Sequence, residues 1–342
     1  MLQRIEAVAP GSTKMQALVY HQYGAPSVVE LGQVARPTMG RDEVLIRVMA
    51  STVSAADWRA RSLQMPPGFG FLGRLFFGVF GPRKKVLGTE LSGVVEAVGS
   101  SVSRFKPGDE VFAFTGASYG CHSEWRVLPE NGLLVHKPHN LSFEQAAALS
   151  FGGTAALCFL RDMGGLERGN KLLVIGASGA IGSAAIQIAK AFGAEVTGVC
   201  STTNLELVRS LGADHVIDYT QQDFTKNGEH YDHILETTGS ASFARCEGSL
   251  SEHGKLLVVL GSFAQALGLE RPPRGSGKRV IASLPRVNRA HLEQLAELAE
   301  AGHYRPLIDS VHPFAEAALA HARVDTGRKR GNVVLRVGSA RN

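Results

Sequence analysis

The middle of the chain contains the glycine-rich turn Gly176-Ala177-Ser178-Gly179-Ala180-Ile181-Gly182. An apolar run at 172–175 precedes it, and residues 183–190 continue with the pattern of an amphipathic helix. This order predicts a strand, a tight turn and a helix. Glycines in such a turn let the backbone approach a pyrophosphate, and the amides at the helix start hold its charge. The alternative is a tight strand-helix turn that binds nothing.

A second strand pattern at 195–200 leads into Ser201-Thr202-Thr203-Asn204. Sites that prefer NAD carry an acid about 20 residues beyond the glycine turn, where it binds the ribose 2′-hydroxyl. This strand end has no carboxylate, and its hydroxyl and amide groups can donate hydrogen bonds to a 2′-phosphate. The pattern therefore favours NADPH, although no basic partner for the phosphate lies in the same stretch.

The length and composition are those of a two-domain globular protein. The chain has 342 residues, of which 44% are hydrophobic and 20% charged, and this length is too great for one ordinary core. The net charge of +5 is spread along the chain without a basic cluster interleaved with aromatics, so no nucleic-acid partner is expected. No apolar segment has the length of a membrane span.

The four cysteines, none at Cys-x-x-Cys spacing, are typical of a reducing compartment, and we expect a cytoplasmic protein. Residues 1–14 are interpreted as a disordered extension. Strand patterns with regular glycine and proline punctuation follow from 15 to 138 and predict a small, partly closed barrel. Strands alternate with helices from 139 to 285, which predicts a parallel sheet covered on both faces.

The phenylalanine-rich stretch 65–85 is predicted to be a long loop. It is interpreted as a lid over an apolar substrate, with a packing insert or a dimer contact as alternatives. Further along, residues 289–302 have the pattern of an amphipathic helix, and 333–337 that of a closing strand.

Four motifs occur in a characteristic order: Val86-Leu87-Gly88-Thr89-Glu90-Leu91-Ser92-Gly93, Phe105-Lys106-Pro107-Gly108-Asp109-Glu110-Val111, Gly152-Gly153-Thr154-Ala155-Ala156-Leu157 and the stretch 211–219 that begins Leu211-Gly212-Ala213-Asp214. Together they resemble the medium-chain dehydrogenase/reductase superfamily, in its zinc-free quinone oxidoreductase and ζ-crystallin-like branch. The resemblance implies an α/β fold. A GroES-like β-barrel substrate domain (15–138 and 286–342) would be interrupted by a Rossmann domain with a doubly wound parallel sheet (139–285).

Zinc-dependent members of that superfamily carry Gly-His-Glu where this chain has Gly88-Thr89-Glu90. They also carry an early cysteine, and the stretch Ser51-Thr52-Val53-Ser54 has no thiol. A threonine cannot replace an imidazole as a zinc ligand, so no catalytic metal is expected. Without a Lewis acid, an alkoxide is not stabilised and alcohol oxidation becomes difficult.

The resemblance then implies hydride transfer from NADPH to a small apolar acceptor, either a quinone or an α,β-unsaturated carbonyl. A zinc-free alcohol dehydrogenase is one alternative. A non-catalytic NADPH-binding protein, crystallin-like or a sensor, is the other. The resemblance also implies a homodimer.

The resemblance assigns cofactor binding to Ser54, Thr154, Ser178, Gly179, Ala180, Ile181, Ser201, Thr203, Tyr219, Thr238, Leu260, Gly261, Ser262 and Asn332. The residues at 178–181 would line the pyrophosphate, and Ser201 and Thr203 would face the 2′-phosphate. Thr154, expected at the start of its helix, would contact the nicotinamide end, with a helix cap as its alternative role. No catalytic residue is identified, and Asp57 is expected to anchor its loop rather than to move a proton.

Overall fold

The computed structural model of the protein describes residues 13–338. Fifteen strands lie in this part of the chain: β1 (Lys14–Val19), β2 (Glu30–Ala35), β3 (Glu43–Val53), β4 (Glu90–Val98), β5 (Glu110–Phe114), β6 (Trp125–Pro129), β7 (Leu134–His136), β8 (Lys171–Ile175), β9 (Glu195–Cys200), β10 (His215–Asp218), β11 (Tyr231–Glu236), β12 (Leu250–Val258), β13 (Arg279–Ile281), β14 (Ile308–Pro313) and β15 (Asn332–Arg336).

Ten α-helices lie in the same part: α1 (Ala55–Ser62), α2 (Gly70–Phe77), α3 (Phe143–Ala147), α4 (Ser150–Leu157), α5 (Ala180–Ala191), α6 (Leu205–Ser210), α7 (Phe243–Cys246), α8 (Phe263–Ala266), α9 (Arg289–Glu300) and α10 (Ala317–Asp325). A π-helical turn, Cys158–Met163, continues α4. No helix among residues 13–338 is long and apolar enough to cross a membrane.

The chain divides into two compact units. Unit 1 contains the described residues up to Gln64, then Leu72–Ser150 and the residues from Ile308 onward, and unit 2 contains Met65–Phe71 and Phe151–Leu307. These bounds differ from the predicted domain limits at 139 and 285, because two helices pack with the unit on the other side. In α3, Ala147 packs with Ala50 and Val334 of unit 1. In α9, Leu295 packs so closely on Gly153 of unit 2 that a Cβ there would lie 2.6 Å from it.

Unit 2 is built on a six-stranded sheet in which every pair of neighbours is parallel, in the order β10-β9-β8-β11-β12-β13. Counted from β8, this is the Rossmann order 3-2-1-4-5-6. The strands are buried on both faces, with Leu173, Ile234 and Leu256 fully inaccessible. The order reverses between β8 and β11, so the carboxyl ends of these two strands form the crevice where such sheets bind dinucleotides.

Unit 1 contains a sheet in the order β14-β15-β3-β4-β5-β7, with β6 also paired to β3, and a separate β1-β2 pair. Apart from the parallel β14-β15 pair, the ladders are antiparallel. Gly93 of β4 is required by close packing, since a Cβ would lie 2.2 Å from the Arg47 carbonyl oxygen. The GroES-like and Rossmann-like parts of the fold predicted from the sequence are confirmed.

Several local predictions were wrong. Residues 70–77 form α2 rather than a loop, and its last residue, Phe77, packs on Tyr119 with ring centroids 6.4 Å apart. Lys14 belongs to β1, where it pairs with Ala35, rather than to the predicted extension 1–14; residues 1–12 of that extension lie outside the described residues. The strand expected at 255–261 runs instead from 250 to 258, since its first residues pair with the start of β11.

Candidate cofactor site

The glycine turn after β8 has the geometry that a phosphate cradle needs. Gly176 has a φ of +83°, which side chains rarely tolerate, and its amide and that of Ala177 donate to the Val199 carbonyl at 3.2 and 3.1 Å. A Cβ on Gly182 would lie 2.2 Å from the Gly176 carbonyl oxygen, so α5 packs directly against the turn. The first amides of α5 have no carbonyl of a preceding helical turn to bind, and they are available to an anion.

Helix α4 lies beside this turn. A Cβ on Gly152 would be 2.5 Å from the Ala180 carbonyl oxygen, so the two helices touch where α5 begins. Thr154 is buried two residues further along. It is the fifth residue of α4, which begins at Ser150, so the predicted position at the helix start is wrong and Thr154 is not a cap. Its nicotinamide contact stays a prediction.

The end of β9 presents a linked set of polar side chains. The Asn204 amide nitrogen donates to the hydroxyls of Ser178 and Ser201, each at 3.2 Å, and the Ser201 and Thr203 hydroxyls are 3.4 Å apart. Asn204 therefore couples the glycine turn to the predicted phosphate-binding hydroxyls. Its amide oxygen is buried and has no hydrogen-bond partner among residues 13–338.

A carboxylate that the sequence analysis missed lies beside these hydroxyls. Because β9 and β10 are parallel with Cys200 opposite Asp218, Asp218 accepts a hydrogen bond from the Thr202 hydroxyl at 2.5 Å and another from the Thr220 hydroxyl at 2.7 Å. The Thr202 bond, followed by those from Thr220, lowers the pKa of Asp218 from its usual value. The stretch 200–204 has no acid, as the sequence shows, yet the fold places an ionised one against it. Tyr219, next in the chain, is 63% exposed.

At the other end of the crevice, Glu236 ends β11 and is fully buried. Its carboxylate accepts from the amides of Thr238 at 2.8 Å and Gly239 at 2.7 Å, so it fixes the loop that follows the strand. Leu260 approaches this loop, 3.5 Å from where a Cβ on Gly239 would lie. The loops after β11 and β12 are thus neighbours at Gly239 and Leu260. Glu236 is not among the site residues predicted from the sequence, although an acid at the end of a buried strand pattern is a signal for such a residue.

The loop after β12 is closed by a second side-chain bond. The Ser262 amide donates to the Gln265 side-chain oxygen at 2.8 Å, and the Gln265 amide donates to the Ser262 hydroxyl at 3.3 Å. This reciprocal pair holds Gly261 and Ser262 at the carboxyl end of the strand. Of the fourteen predicted cofactor residues, twelve lie in unit 2, and the roles assigned to them stay predictions.

Ser54 and Asn332 are the two predicted residues in unit 1. Ser54 caps α1 and shares a capping box with Asp57. The Asp57 carboxylate is fully buried, and it accepts from the Ser54 amide at 2.8 Å and from the Gly88 amide at 2.8 Å. These contacts are those of a loop anchor. Asn332 is the buried first residue of β15.

Comparisons with known proteins identify the family. Residues 40–139 match the alcohol dehydrogenase GroES-like domain, and residues 211–335 match the zinc-binding dehydrogenase family. The chain is 32% identical to the mitochondrial NAD(P)H oxidoreductase RTN4IP1 of Mus musculus, over 97% of this chain and 92% of that one. It is 33% identical to the 2-methylene-furan-3-one reductase of Solanum lycopersicum, over 94% and 79% of the two chains. The solved quinone oxidoreductase of Coxiella burnetii superposes with a TM-score of 0.83 at 27% identity, covering 95% of this chain and all of that one.

The chain belongs to the medium-chain dehydrogenase/reductase superfamily, in its quinone oxidoreductase-like branch. The predicted resemblance is confirmed. The relatives support an NAD(P)H oxidoreductase that uses a nicotinamide cofactor and a small-molecule acceptor.

The place where zinc-dependent members bind their metal is lined by hydroxyl groups in this chain. Thr89 is buried, and its hydroxyl has no hydrogen-bond partner within the described residues. The Ser51 hydroxyl donates to the Glu90 carbonyl at 2.6 Å, and the Thr52 hydroxyl donates to the Glu90 carboxylate. Zinc in proteins takes thiolates, imidazoles and carboxylates. The buried imidazole of His122 lies beside this place, but its Nε2 already donates to the Thr52 carbonyl at 2.9 Å. Within residues 13–338, Glu90 and His122 belong to no three-ligand group, so this lining does not fit the requirement.

Within residues 13–338, the group that combines three metal-ligand types close together lies elsewhere, in unit 2. The Nε2 atom of His291 is 3.4 Å from the Cys158 sulfur and 2.6 Å from an Asp162 oxygen. Cys158 and Asp162 line a cavity of about 620 Å³. The Arg161 guanidinium already binds Asp162 at 2.5 Å, and burial, together with Asp162, raises the pKa of the Cys158 thiol to about 11. The Asp162 carboxylate is thus already engaged by both Arg161 and His291, which would compete with a metal for it.

Lys329 of unit 1 is a further unusual group. Burial lowers its pKa to about 8, although Asp309 and Glu90 favour its charged form. Its ammonium donates to the Gly331 carbonyl at 2.5 Å. Sequence reasoning gave no signal for it, because the environment that shifts its pKa is assembled from separate parts of unit 1.

Proposed function

We propose that this protein transfers hydride from NADPH to a quinone or an α,β-unsaturated carbonyl without zinc. The observation that carries the proposal is the environment of Glu90: Thr89 stands in place of an imidazole, the Glu90 carboxylate already accepts from the Thr52 hydroxyl, and residues 13–338 hold no three-ligand group that includes Glu90. A Lewis-acidic metal stabilises the alkoxide of an alcohol substrate, and without it alcohol oxidation becomes difficult. A conjugated acceptor spreads the developing negative charge over its own π-system and does not need the metal.

The reduced nicotinamide supplies the hydride when it is bound. The pyrophosphate would lie against the first amides of α5, and Thr154 together with the loops at 238–240 and 260–262 would orient the nicotinamide. For a quinone, the hydride and one proton give the hydroquinone, and the weakly basic anion takes that proton from solvent. The contribution of the protein is then mainly positioning of the reactants and exclusion of water.

Preference for NADPH over NADH is part of the proposal and rests on Ser201 and Thr203, whose hydroxyls can donate to a 2′-phosphate, with Asn204 holding the Ser201 hydroxyl through its amide nitrogen. Asp218 opposes it, since its ionised carboxylate lies one side chain away, at Thr202. We therefore expect tighter binding of NADPH by a modest factor. Fluorescence titration with both cofactors measures it, and equal affinities or tighter NADH binding would refute it. Ser201→Asp should reverse the order, because it adds a carboxylate where the phosphate would sit.

The function is tested by an NADPH-oxidation screen over quinones, enones and enoyl thioesters, with a simple alcohol and NADP⁺ as the opposite reaction. Steady turnover with a quinone or an enone supports the proposal. Turnover restricted to the alcohol would identify an alcohol dehydrogenase. Tight NADPH binding without turnover of any acceptor would identify a non-catalytic binding protein.

Zinc independence has its own test. Metal analysis of dialysed protein should find well under one zinc per chain, and activity should survive a chelator. Cys158→Ala should leave both results unchanged. A stoichiometric zinc that is required for activity would refute the proposal, and its loss in Cys158→Ala would assign it to the cluster with Asp162 and His291.

A cytoplasmic location and a homodimer complete the proposal. All four cysteines are buried and free of disulfides, as is usual in a reducing compartment. Sedimentation at several concentrations tests the dimer, and a monomer throughout would refute it. The RTN4IP1 relative is named as mitochondrial, so fractionation of the source cells is the measurement that tests the location.

A further inference from the structure

Helix α2 and the loop after it, residues 70–85, form a surface that the proposed chemistry does not use. We call it the Phe80 surface. Phe80 is fully exposed, Phe71 is 81% exposed and Phe76 is 60% exposed. Leu72, Leu75 and Val79 are exposed beside them. Six large apolar side chains within ten residues form an exposed apolar cluster of the kind that marks an interaction site.

The charged residues of the segment that carries this cluster have one sign. Between Asp57 and Glu90 the chain has no acidic residue and six basic ones. Arg61 is buried against Asp325 and Arg59 stacks on Trp58. The other four are exposed: Arg74, Arg83, Lys84 and Lys85. Within residues 13–338 these four side chains form no ion pair, so the Phe80 surface combines exposed apolar side chains with unpaired positive charges.

The surface is held in place from behind. Phe77 packs on Tyr119 with ring centroids 6.4 Å apart, and the Tyr23 hydroxyl donates to the Gly78 carbonyl at 2.8 Å. The Arg83 amide closes the loop by donating to the Phe77 carbonyl at 2.8 Å. Gly78 has a φ of +132°, and a Cβ there would lie 2.0 Å from the Gly81 carbonyl oxygen. The exposed phenylalanines therefore lie on a helix and a loop that are anchored to Tyr23 and Tyr119 of unit 1.

We propose that the Phe80 surface docks on an anionic phospholipid bilayer. Aromatic and leucine side chains enter the boundary between headgroups and acyl chains, and basic side chains at the same level bind anionic headgroups. A second copy of the chain fits less well, because a symmetric contact through this surface would bring two sets of four exposed cations together. A bilayer also accepts protruding side chains without a preformed pocket. The inference does not depend on the proposed hydride transfer.

Both the basic and the apolar side chains of the Phe80 surface contribute to the expected affinity for an anionic membrane. Each lysine or arginine near an anionic membrane strengthens binding by about fivefold at physiological salt. Neutralising two of them should therefore weaken partitioning by roughly 25-fold. Removing two of the most exposed phenyl rings should weaken it by at least about tenfold.

The test is flotation of the full-length protein with vesicles, read out by protein content rather than activity. One vesicle is phosphatidylcholine alone, and the other has equal parts of phosphatidylcholine and phosphatidylglycerol. We expect binding to the anionic vesicles that weakens with salt. Phe76→Ser combined with Phe80→Ser should lose it, and Lys84→Gln combined with Lys85→Gln should reduce it. The matched control is Leu319→Ser, a residue of unit 1 that is 59% exposed outside the surface; it should bind as the wild type does.

Circular dichroism should match the wild type in all variants. The Phe76 ring also packs edge-on against Phe77, with ring centroids 5.0 Å apart, so a small fall in the unfolding temperature is expected for the double phenylalanine variant alone. Failure of the wild type to bind anionic vesicles would overturn the proposal. Binding that persists in the double phenylalanine variant would also overturn it, because simple attraction of a basic protein would then suffice. If vesicle binding is absent and self-association requires Phe76 and Phe80, the surface binds a second copy of the chain and the proposal is wrong. If the surface binds an acidic protein instead of vesicles, the proposal is also wrong.

Discussion

The substitution Gly179→Ala is expected to weaken NADPH binding while leaving the free energy of unfolding nearly unchanged. Gly179 caps α5 with φ −78° and ψ 176°, a conformation that alanine adopts without strain. A Cβ there would meet only the Gly176 carbonyl oxygen, at an ordinary 3.4 Å. The added methyl group therefore fits the protein, but it occupies the space beside the first amides of α5 where the pyrophosphate must approach.

The two effects on stability nearly cancel. Alanine is a poorer helix cap than glycine, which destabilises the folded state by roughly 0.5–1 kcal/mol. Alanine also lowers the conformational entropy of the unfolded chain, which stabilises the folded state by about 0.4–1 kcal/mol. Binding has no such compensation. Moving the phosphate off a single amide removes a hydrogen bond to a charged group, which costs about 1.5–3 kcal/mol. The Kd for NADPH should then rise by roughly 10- to 150-fold.

The assay is fluorescence titration with NADPH, together with the urea midpoint of unfolding. The matched control is Gly248→Ala, since a Cβ at Gly248 meets nothing within 4 Å and Gly248 lies in the 3₁₀ turn Glu247–Ser249, outside the predicted cofactor residues. In the control the Kd should stay unchanged, and the midpoint should rise slightly, because alanine restricts the unfolded chain and nothing in the folded state opposes it. A Kd for Gly179→Ala within twofold of wild type would refute the assigned pyrophosphate position. A large fall in the midpoint would show that the fold, rather than the cofactor, needs this glycine.

Three further variants test the electrostatics of the two units. Asp218→Asn should tighten NADPH severalfold and leave NADH nearly unchanged, because it removes the carboxylate beside the predicted 2′-phosphate; an unchanged ratio of the two Kd values would count against that position. Asp57→Asn should lower the free energy of unfolding by about 1–3 kcal/mol, because a buried acceptor is lost, yet change the stopped-flow hydride-transfer rate at saturating NADPH only modestly; a thousandfold loss, about 4 kcal/mol, would make Asp57 catalytic. Lys329→Met should stabilise the protein at pH 7 by about 1–3 kcal/mol. The pKa of this lysine is about 8 in the native state instead of 10.5, so at pH 7 its charged form destabilises the native state relative to the unfolded chain. That advantage should shrink as the pH rises from 8 to 10.5, where the wild-type native state releases the proton, and denaturant unfolding at several pH values would contradict the reasoning if the difference stayed constant.

Sequence patterns sufficed for the two folds because their signals are local. The apolar run at 172–175, the glycines at 176–182 and the helix pattern beyond them specify a βα unit through the conformations those residues prefer. The motif around Gly88 and the absence of imidazole at Thr89 can likewise be read directly from the chain, and so can the charge bias between residues 58 and 89. None of these inferences needs knowledge of which strand lies beside which.

The tertiary structure alone decided what surrounds those motifs. Asp218 lies against Thr202 only because β10 pairs with β9 in a register that sets Asp218 opposite Cys200. Gly152 touches Ala180, and Phe77 holds α2 through Tyr119, although each pair is separated by many residues along the chain. Such contacts depend on strand register and on packing between distant segments, and residue preferences within a short window carry no information about either.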